Sequence, residues 1–399
     1  MDFSLSEEQR AIHSAAESVF GPRSAASVGH QAPPGSAESF DSEAWADMAR
    51  ADLLGIAVGE EFGGSGLGLL EVCALLWAQG RHLIRVPAGP ALAVAAPAIE
   101  RFGSGALRES VLARVVTGDC VLSTALIEAG AHDPADVGVS ARPGPAGTWL
   151  VTGEKICVPY AGLAERILTP VRIPDSGIAV AAIDPGSAGV RLTPQQATHG
   201  EPVYQVGFDD AVIDEGDLLG RGAEERAEAF SWVLQRSTVT VCALQLGVAE
   251  QILAMTTSHV RERRQFGRPL GAFQGVALRL ADAYLAVECI RNSMWQAAWA
   301  LSDGRDAAQA VRLAKYWAAE SGQRLAVIGQ HLHGGIGVDT EYPLHRYTLW
   351  AKSQELSLGS AHPMLDQIGR HLADAGTAAV GPPPGDPYRP SGVEPAEMS

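Results

Sequence analysis

The residue types that could do chemistry in this chain fall into a few short runs. Glu60-Glu61-Phe62-Gly63-Gly64-Ser65-Gly66-Leu67-Gly68 places four glycines within six residues. Such a loop either turns the chain or offers backbone amides to a phosphate, and taken alone the turn is the commoner use. Further on, Arg263-Arg264-Gln265-Phe266-Gly267-Arg268-Pro269-Leu270-Gly271-Ala272-Phe273-Gln274 and His333-Gly334-Gly335-Ile336-Gly337 combine guanidinium, aromatic and amide groups with permissive backbone. Taken one at a time, Arg263 reads as a charge on a solvated helix end, Phe266 as core and Gly334-Gly335 as a helix C-cap. Five cysteines, Cys73, Cys120, Cys157, Cys242 and Cys289, are odd in number and widely spaced, which suggests neither a disulfide framework nor a C-x-x-C metal site. No metal is expected.

The chain around these runs has 399 residues, 46% of them hydrophobic, enough for two or three domains with a sizeable core. A net charge of −16 opposes the counterion release on which nucleic-acid binders depend, so nucleic acid is not an expected partner. Met1 to Phe20 carries charges from Asp2 onward, and no later run approaches the ~20 apolar residues of a membrane span. The expectation is a soluble, cytoplasmic protein with no membrane partner.

Three changes of pattern define the elements that must position the runs. Ser4-Leu5-Ser6-Glu7-Glu8 offers a capping serine before acidic first-turn residues, and Ile12, Ala15 and Val19 follow at helical spacing, so residues 1–118 are expected to be a helical domain. From 119 to 222 the signals are short β-type runs: Val121 to Ile127, Thr148 to Thr152, Lys155 to Val158, Arg166 to Ile173, Ile178 to Ile183 and Tyr204 to Phe208. With no helices between them, they predict a small antiparallel barrel or sandwich. From 223 to 375 helical periodicity returns, with Leu278, Ala281, Leu285 and Cys289 on one face, and predicts a helical bundle. Residues 376–399, with Pro382-Pro383-Pro384-Gly385, are expected to be a disordered tail. The fold class is α+β.

Three stretches, in order and at matching intervals, resemble the acyl-CoA dehydrogenase family. Leu54-Gly55-Ile56-Ala57-Val58-Gly59-Glu60-Glu61-Phe62-Gly63-Gly64-Ser65-Gly66-Leu67 looks like the family's N-terminal PEEYGG loop, with Gly59 where proline is usual. Arg263 to Gln274 is similar to its R-x-x-F-G segment, and His333 to Gly337 with Glu341-Tyr342-Pro343 resembles its G-G-x-G…YP segment. The resemblance implies FAD, an acyl-CoA substrate, α,β-desaturation, a tetramer, and an electron-transfer flavoprotein or similar acceptor. Carried over residue by residue, it makes Arg263 a pyrophosphate partner, Phe266 and Gln274 adenosine-side contacts, and Gly334-Gly335 a turn close to the phosphates. His331 stands where the family usually has glutamine and can still donate a hydrogen bond.

Where the family sets flavin contacts and base, this chain departs from it. Against the flavin the family places Thr-Glu-Pro-x-x-Gly-Ser-Asp; here the sequence is Ile127-Glu128-Ala129-Gly130-Ala131-His132-Asp133-Pro134. The next flavin segment corresponds to Cys157-Val158-Pro159-Tyr160, and Pro159 has neither N–H nor hydroxyl to offer. The usual glutamate base falls on Leu358, and the alternative position of isovaleryl-type enzymes falls on Ser237. Glu250, Glu341 and Glu355 are weak substitutes, because a helix glutamate is usually a solvated charge. This pattern resembles the accessory chain of bacterial α2β2 heteromeric acyl-CoA dehydrogenases of fatty-acid or steroid catabolism. Two alternatives stay open: a self-sufficient homomeric flavoenzyme with a relocated base or a different oxidation, and a flavin-free interaction protein.

Overall fold

A computed structural model of the chain describes residues 4–24, 39–131, 133–174 and 176–374. The expected tail at 376–399 lies outside these residues, as does His132 of the flavin-side loop.

The N-terminal helices are α1 (Glu7–Phe20), α2 (Ser42–Arg50), α3 (Leu69–His82), α4 (Ala96–Phe102) and α5 (Gly105–Thr117), with a π-helical stretch, Gly89–Ala95, leading into α4. The α1 start follows from its sequence: Ser6 Oγ accepts from the Gln9 amide and Gln9 Oε1 accepts from the Ser6 amide, a reciprocal cap. Ala16 and Phe20 are buried and Ile12, Ala15 and Val19 pack against the same core. The glycine-rich loop is a turn and not a phosphate cradle. Its amides are spent inside the protein, Ser65 N–H on Gly55 O at 2.9 Å and Gly66 N–H on Val58 O at 2.8 Å.

The middle of the chain forms β1 (Leu122–Thr124), β2 (Ser140–Pro143), β3 (Trp149–Pro159), β4 (Arg166–Ile173), β5 (Gly177–Ile183), β6 (Val190–Gln195), β7 (Val203–Ile213) and β8 (Leu218–Leu219). They make one sheet of order β6-β7-β3-β2-β4-β5-β8, with β1 also on β4. This corrects the expected antiparallel barrel in two respects. The β1–β4 and β2–β4 pairings are parallel, so the sheet is mixed, and the strand order is an open path with β6 and β8 at its ends. The runs 148–152 and 155–158 are one strand, β3, because register shifts against β7 absorb Gly153 without ending the ladder. β2, β6 and β8 escaped the sequence pattern; β6 alternates between half-buried and exposed, leaving no apolar run to detect. One face of the sheet has its own small core, including Val151, Val171, Val206 and Phe208.

The remaining elements are α6 (Ala223–Glu262), the short hairpin β9 (Arg264–Gln265) and β10 (Arg268–Pro269), α7 (Gln274–Ser302), α8 (Ala308–His333), α9 (Leu344–Leu356) and α10 (Ala361–Asp374). By length and composition α6 could cross a bilayer, a candidate missed in the sequence reading, but most of its apolar stretch is buried inside the protein. α3 and α6 cross in direct backbone contact. A Cβ on Gly80 would strike the Leu244 carbonyl, and one on Gly247 would strike the Trp77 carbonyl. N- and C-terminal helices therefore share one core, in which Leu75, Leu76 and Leu246 are fully buried. Each such side chain contributes about 1.5–3 kcal/mol of burial. On α7, by contrast, Leu278 and Leu285 are 61% and 60% exposed, so the apolar face expected there does not meet the chain's own core.

Candidate active site

A cavity of about 410 Å³ opens where the sheet meets the helices. The sheet contributes Thr124, Leu126, Ile127, Cys157, Pro159 and Tyr160. The N-terminal helices contribute Gln79, Val86 and Val94, while α6 gives Ser237, Thr240 and Leu244 and the end of α9 gives Gln354, Leu356 and Leu358. This volume lies within the usual range of small-ligand sites.

Both positions at which the family's base was sought, Ser237 and Leu358, line this cavity. Neither can take a proton. Ser237 Oγ donates to Val233 O of its own helix at 2.7 Å, so the hydroxyl is back-bonded and has no activating base beside it. Leu358 is 8% exposed and sits at φ 55°, a left-handed turn conformation uncommon for a branched side chain. The turn is held from behind by Lys315, whose Nζ donates to Gln354 O and Glu355 O, each at 3.0 Å. Lys315 is completely buried, and desolvation lowers its pKa to about 8.

The three substitute carboxylates are elsewhere, and none lines the cavity. Glu250 accepts from Trp77 Nε1 at 2.7 Å and pairs with Arg291. Glu355 is 7% exposed and pairs with Lys352 at 2.7 Å. Glu341 is exposed on the connection before α9.

Ile127 and Pro159 lie in the cavity wall, as expected of flavin-side positions, and offer it no hydroxyl. The wall is nonetheless not bare of hydroxyls, since Thr124 lies three residues before Ile127 and Thr240 stands across from the sheet on α6. The frame of the Ile127–Asp133 loop is intact. Glu128 accepts from Lys155 Nζ at 2.6 Å, from the Gly138 amide at 2.8 Å and from the Val139 amide at 3.2 Å. Burial alone would raise the Glu128 pKa, but Lys155 and the two amides outweigh it and hold the carboxyl below its ordinary value.

The residues expected to hold the ADP half of a cofactor are outside this cavity, grouped at one surface. Arg263 caps the end of α6, and Phe266 and Gly267 form the tip of the β9–β10 hairpin, with Phe266 at φ 53° and 90% exposed. Gln274 opens α7 directly after Phe273, which stands edge-on to Phe266 at 6.1 Å and beneath the Arg268 guanidinium at 4.0 Å. The second segment is joined to the first by a stacked imidazole pair, His259 on His333, with ring centroids 4.3 Å apart. His331 is exposed at the end of α8, and Gly334 follows at φ 66° with open space where a Cβ would stand, as at Gly335. An almost bare phenylalanine beside an exposed guanidinium fits a ligand that is both aromatic and anionic, as an adenine dinucleotide is.

Four functional candidates were not read from the sequence: Gln79, Tyr160, His199 and Glu201. Glu201 is the carboxylate in the cavity wall, with Oε1 accepting from Tyr160 Oη at 2.7 Å and Oε2 facing His199 Nε2 at 3.0 Å. Trp350 Nε1 of α9 holds this loop by donating to His199 O at 3.0 Å. No motif marks these residues, since only the docking of the loop before β7 onto α9 brings them to the cavity.

The chain belongs to the acyl-CoA dehydrogenase family: the family's N-terminal domain matches residues 6–119 and its C-terminal domain residues 227–373. These are oxidoreductases that use FAD to desaturate acyl-CoA thioesters. Among similar proteins is the acyl-CoA dehydrogenase FadE27 of Mycobacterium tuberculosis, 37% identical over 84% of this chain and 90% of that protein. The ChsE4-ChsE5 complex from Mycobacterium tuberculosis contains a chain with a TM-score of 0.84 and 35% identity, covering 94% of this chain and 99% of that one. A Tcur3481-Tcur3483 steroid dehydrogenase variant gives a TM-score of 0.85 and 36% identity, covering 92% and 98%.

Proposed function

We propose that this chain is the base-deficient subunit of a heteromeric, FAD-dependent acyl-CoA dehydrogenase acting on a bulky acyl group. Desaturation of a thioester needs a carboxylate for the α-proton and an acceptor for the β-hydride, the chemistry a bound flavin supplies. The observation that carries the reading is that Ser237 and Leu358 line one cavity and neither is a base. Arg263, Phe266, Gln274, His331 and the Gly334-Gly335 turn would hold the ADP portion of the cofactor at the exposed hairpin. The cavity walls would orient the thioester and exclude water. Two similar structures with comparable identity are described as a two-protein complex and a two-protein steroid enzyme, which supports both the related partner chain and a large substrate. An electron-transfer flavoprotein or similar acceptor would then reoxidise the complex.

The test is to express the chain alone and with a related chain carrying glutamate at one of the two base positions, then measure FAD per chain and acyl-CoA-dependent bleaching of the flavin. The reading expects substoichiometric FAD and little bleaching from the lone chain. Full FAD and rapid bleaching by the lone chain would reject it. A substrate panel tests the acyl group: efficient turnover of butyryl-CoA with rejection of steroid-type CoA thioesters would remove the bulky-substrate part.

A further inference from the structure

One wall of the cavity has an unspent acceptor. Gln79, at the end of α3, is 1% exposed and lines the cavity. Its Nε2 donates to Ile84 O at 3.0 Å and to Val86 O at 2.9 Å. Two carbonyl acceptors fix the amide orientation, since a flipped side chain would set oxygen against oxygen. The consequence is that Oε1 is buried with no hydrogen-bond partner in the protein. A buried unpaired amide oxygen costs about 1–3 kcal/mol, so a ligand group that donates to it is favoured by the site itself.

The Tyr160-His199-Glu201 cluster stands at the same end. Val86, which accepts from Gln79, follows Arg85, whose guanidinium would lie 3.5 Å from a Cβ on Gly200, next to Glu201. Both Glu201 oxygens are already engaged, by Tyr160 and by His199, so the carboxylate is a fixed acceptor and not a mobile base. The rest of the wall is largely apolar, with Val94, Leu126, Val241 and Leu244.

We propose that Gln79 and the Tyr160-His199-Glu201 cluster form a subsite for a hydroxyl group carried on the acyl chain. The groups offered are acceptors, Gln79 Oε1 and the Glu201 carboxylate, so they match a donor. A hydroxyl satisfies them and a ketone at the same carbon does not. This inference rests on the reading of the cavity as an acyl-CoA site and adds which acyl chains it selects.

The experiment uses the full-length protein, with its partner chain where the complex is the isolated form, and a chain-length series of acyl-CoA esters. Each length is made unsubstituted, with a hydroxyl on the penultimate carbon and with a ketone there, and binding is measured by titration calorimetry. At the length that reaches the subsite, the hydroxy ester should bind on the order of ten- to a hundred-fold tighter than the other two. Gln79→Leu and Glu201→Gln should each shrink that ratio while leaving affinity for the unsubstituted ester and flavin content in place. The wild-type comparison needs no substitution, so a Gln79→Leu protein that fails to fold does not decide the outcome. Equal affinities at every length, a ketone bound as tightly as the alcohol, or a ratio retained in folded Glu201→Gln protein overturns the subsite. Those results, with FAD and unsubstituted esters still bound, leave the dehydrogenase reading standing; binding of no CoA ester overturns both.

Discussion

Ser237 on α6 and Leu358 in the turn after α9 line the same cavity, the first with its hydroxyl tied to Val233 O and the second in a left-handed turn held by Lys315. Two segments distant in sequence thus deliver the two possible base positions to one site, and both deliver groups that cannot accept a proton.

Restoring a carboxylate is therefore informative. Leu358→Glu, made in the complex whose partner base has been removed, should recover flavin bleaching. General base catalysis is typically worth about 10²–10⁴-fold, and a recovery of even a tenth of that is measurable by rapid mixing. Absence of any recovery from both Leu358→Glu and Ser237→Glu, with flavin retained, would place the substrate's α-carbon away from these positions.

Arg263→Ala should weaken FAD retention. The guanidinium is exposed at the α6 C-terminus beside the hairpin, and loss of a charge-assisted phosphate contact costs about 1.5–3 kcal/mol, roughly ten- to a hundred-fold in affinity. Flavin absorbance per chain after gel filtration is the readout. Unchanged flavin would remove Arg263 from the site.

Glu128→Gln should destabilise the fold. Lys155 is completely buried and Glu128 is its ion-pair partner at 2.6 Å, so the substitution leaves a buried cation uncompensated. Breaking such a pair from one side costs about 3–5 kcal/mol. Urea unfolding measures it, and the double change Glu128→Gln with Lys155→Met should recover part of the loss. A single variant as stable as the parent would show the pair to be solvated.

Stability should fall on mild acidification through His259 and His333. Burial lowers both pKa values below 6.5, and the neighbouring Arg263 for His259 and His259 itself for His333 lower them further. The folded protein thus binds fewer protons than the unfolded chain. The contribution is complete above pH 6.5 and is lost as pH falls from there through the depressed folded values. Melting temperature followed against pH should drop less steeply in His259→Gln than in the parent protein. Parallel curves would assign the acid sensitivity to other groups.

The sequence by itself determined the α-β-α order, the α1 cap at Ser6, the strand at Arg166–Ile173, and the grouping of Arg263, Phe266 and Gln274, because each depends on neighbours within a turn or a hairpin. It also determined which residues stand at the base positions. What it could not decide was where the candidates lie relative to one another. Glu250 and Glu355 differ from Glu201 in no sequence property, yet two are spent in ion pairs away from the cavity and the third lines it. The mixed sheet was hidden as well, since the parallel pairing of β1 and β2 with β4 joins strands that no tight turn connects. The unpaired Gln79 Oε1 exists only because Ile84 and Val86 turn their carbonyls back onto the end of α3. Local chemistry sets element type and motif, whereas which polar groups end without a partner is settled only when distant segments close over them and exclude water.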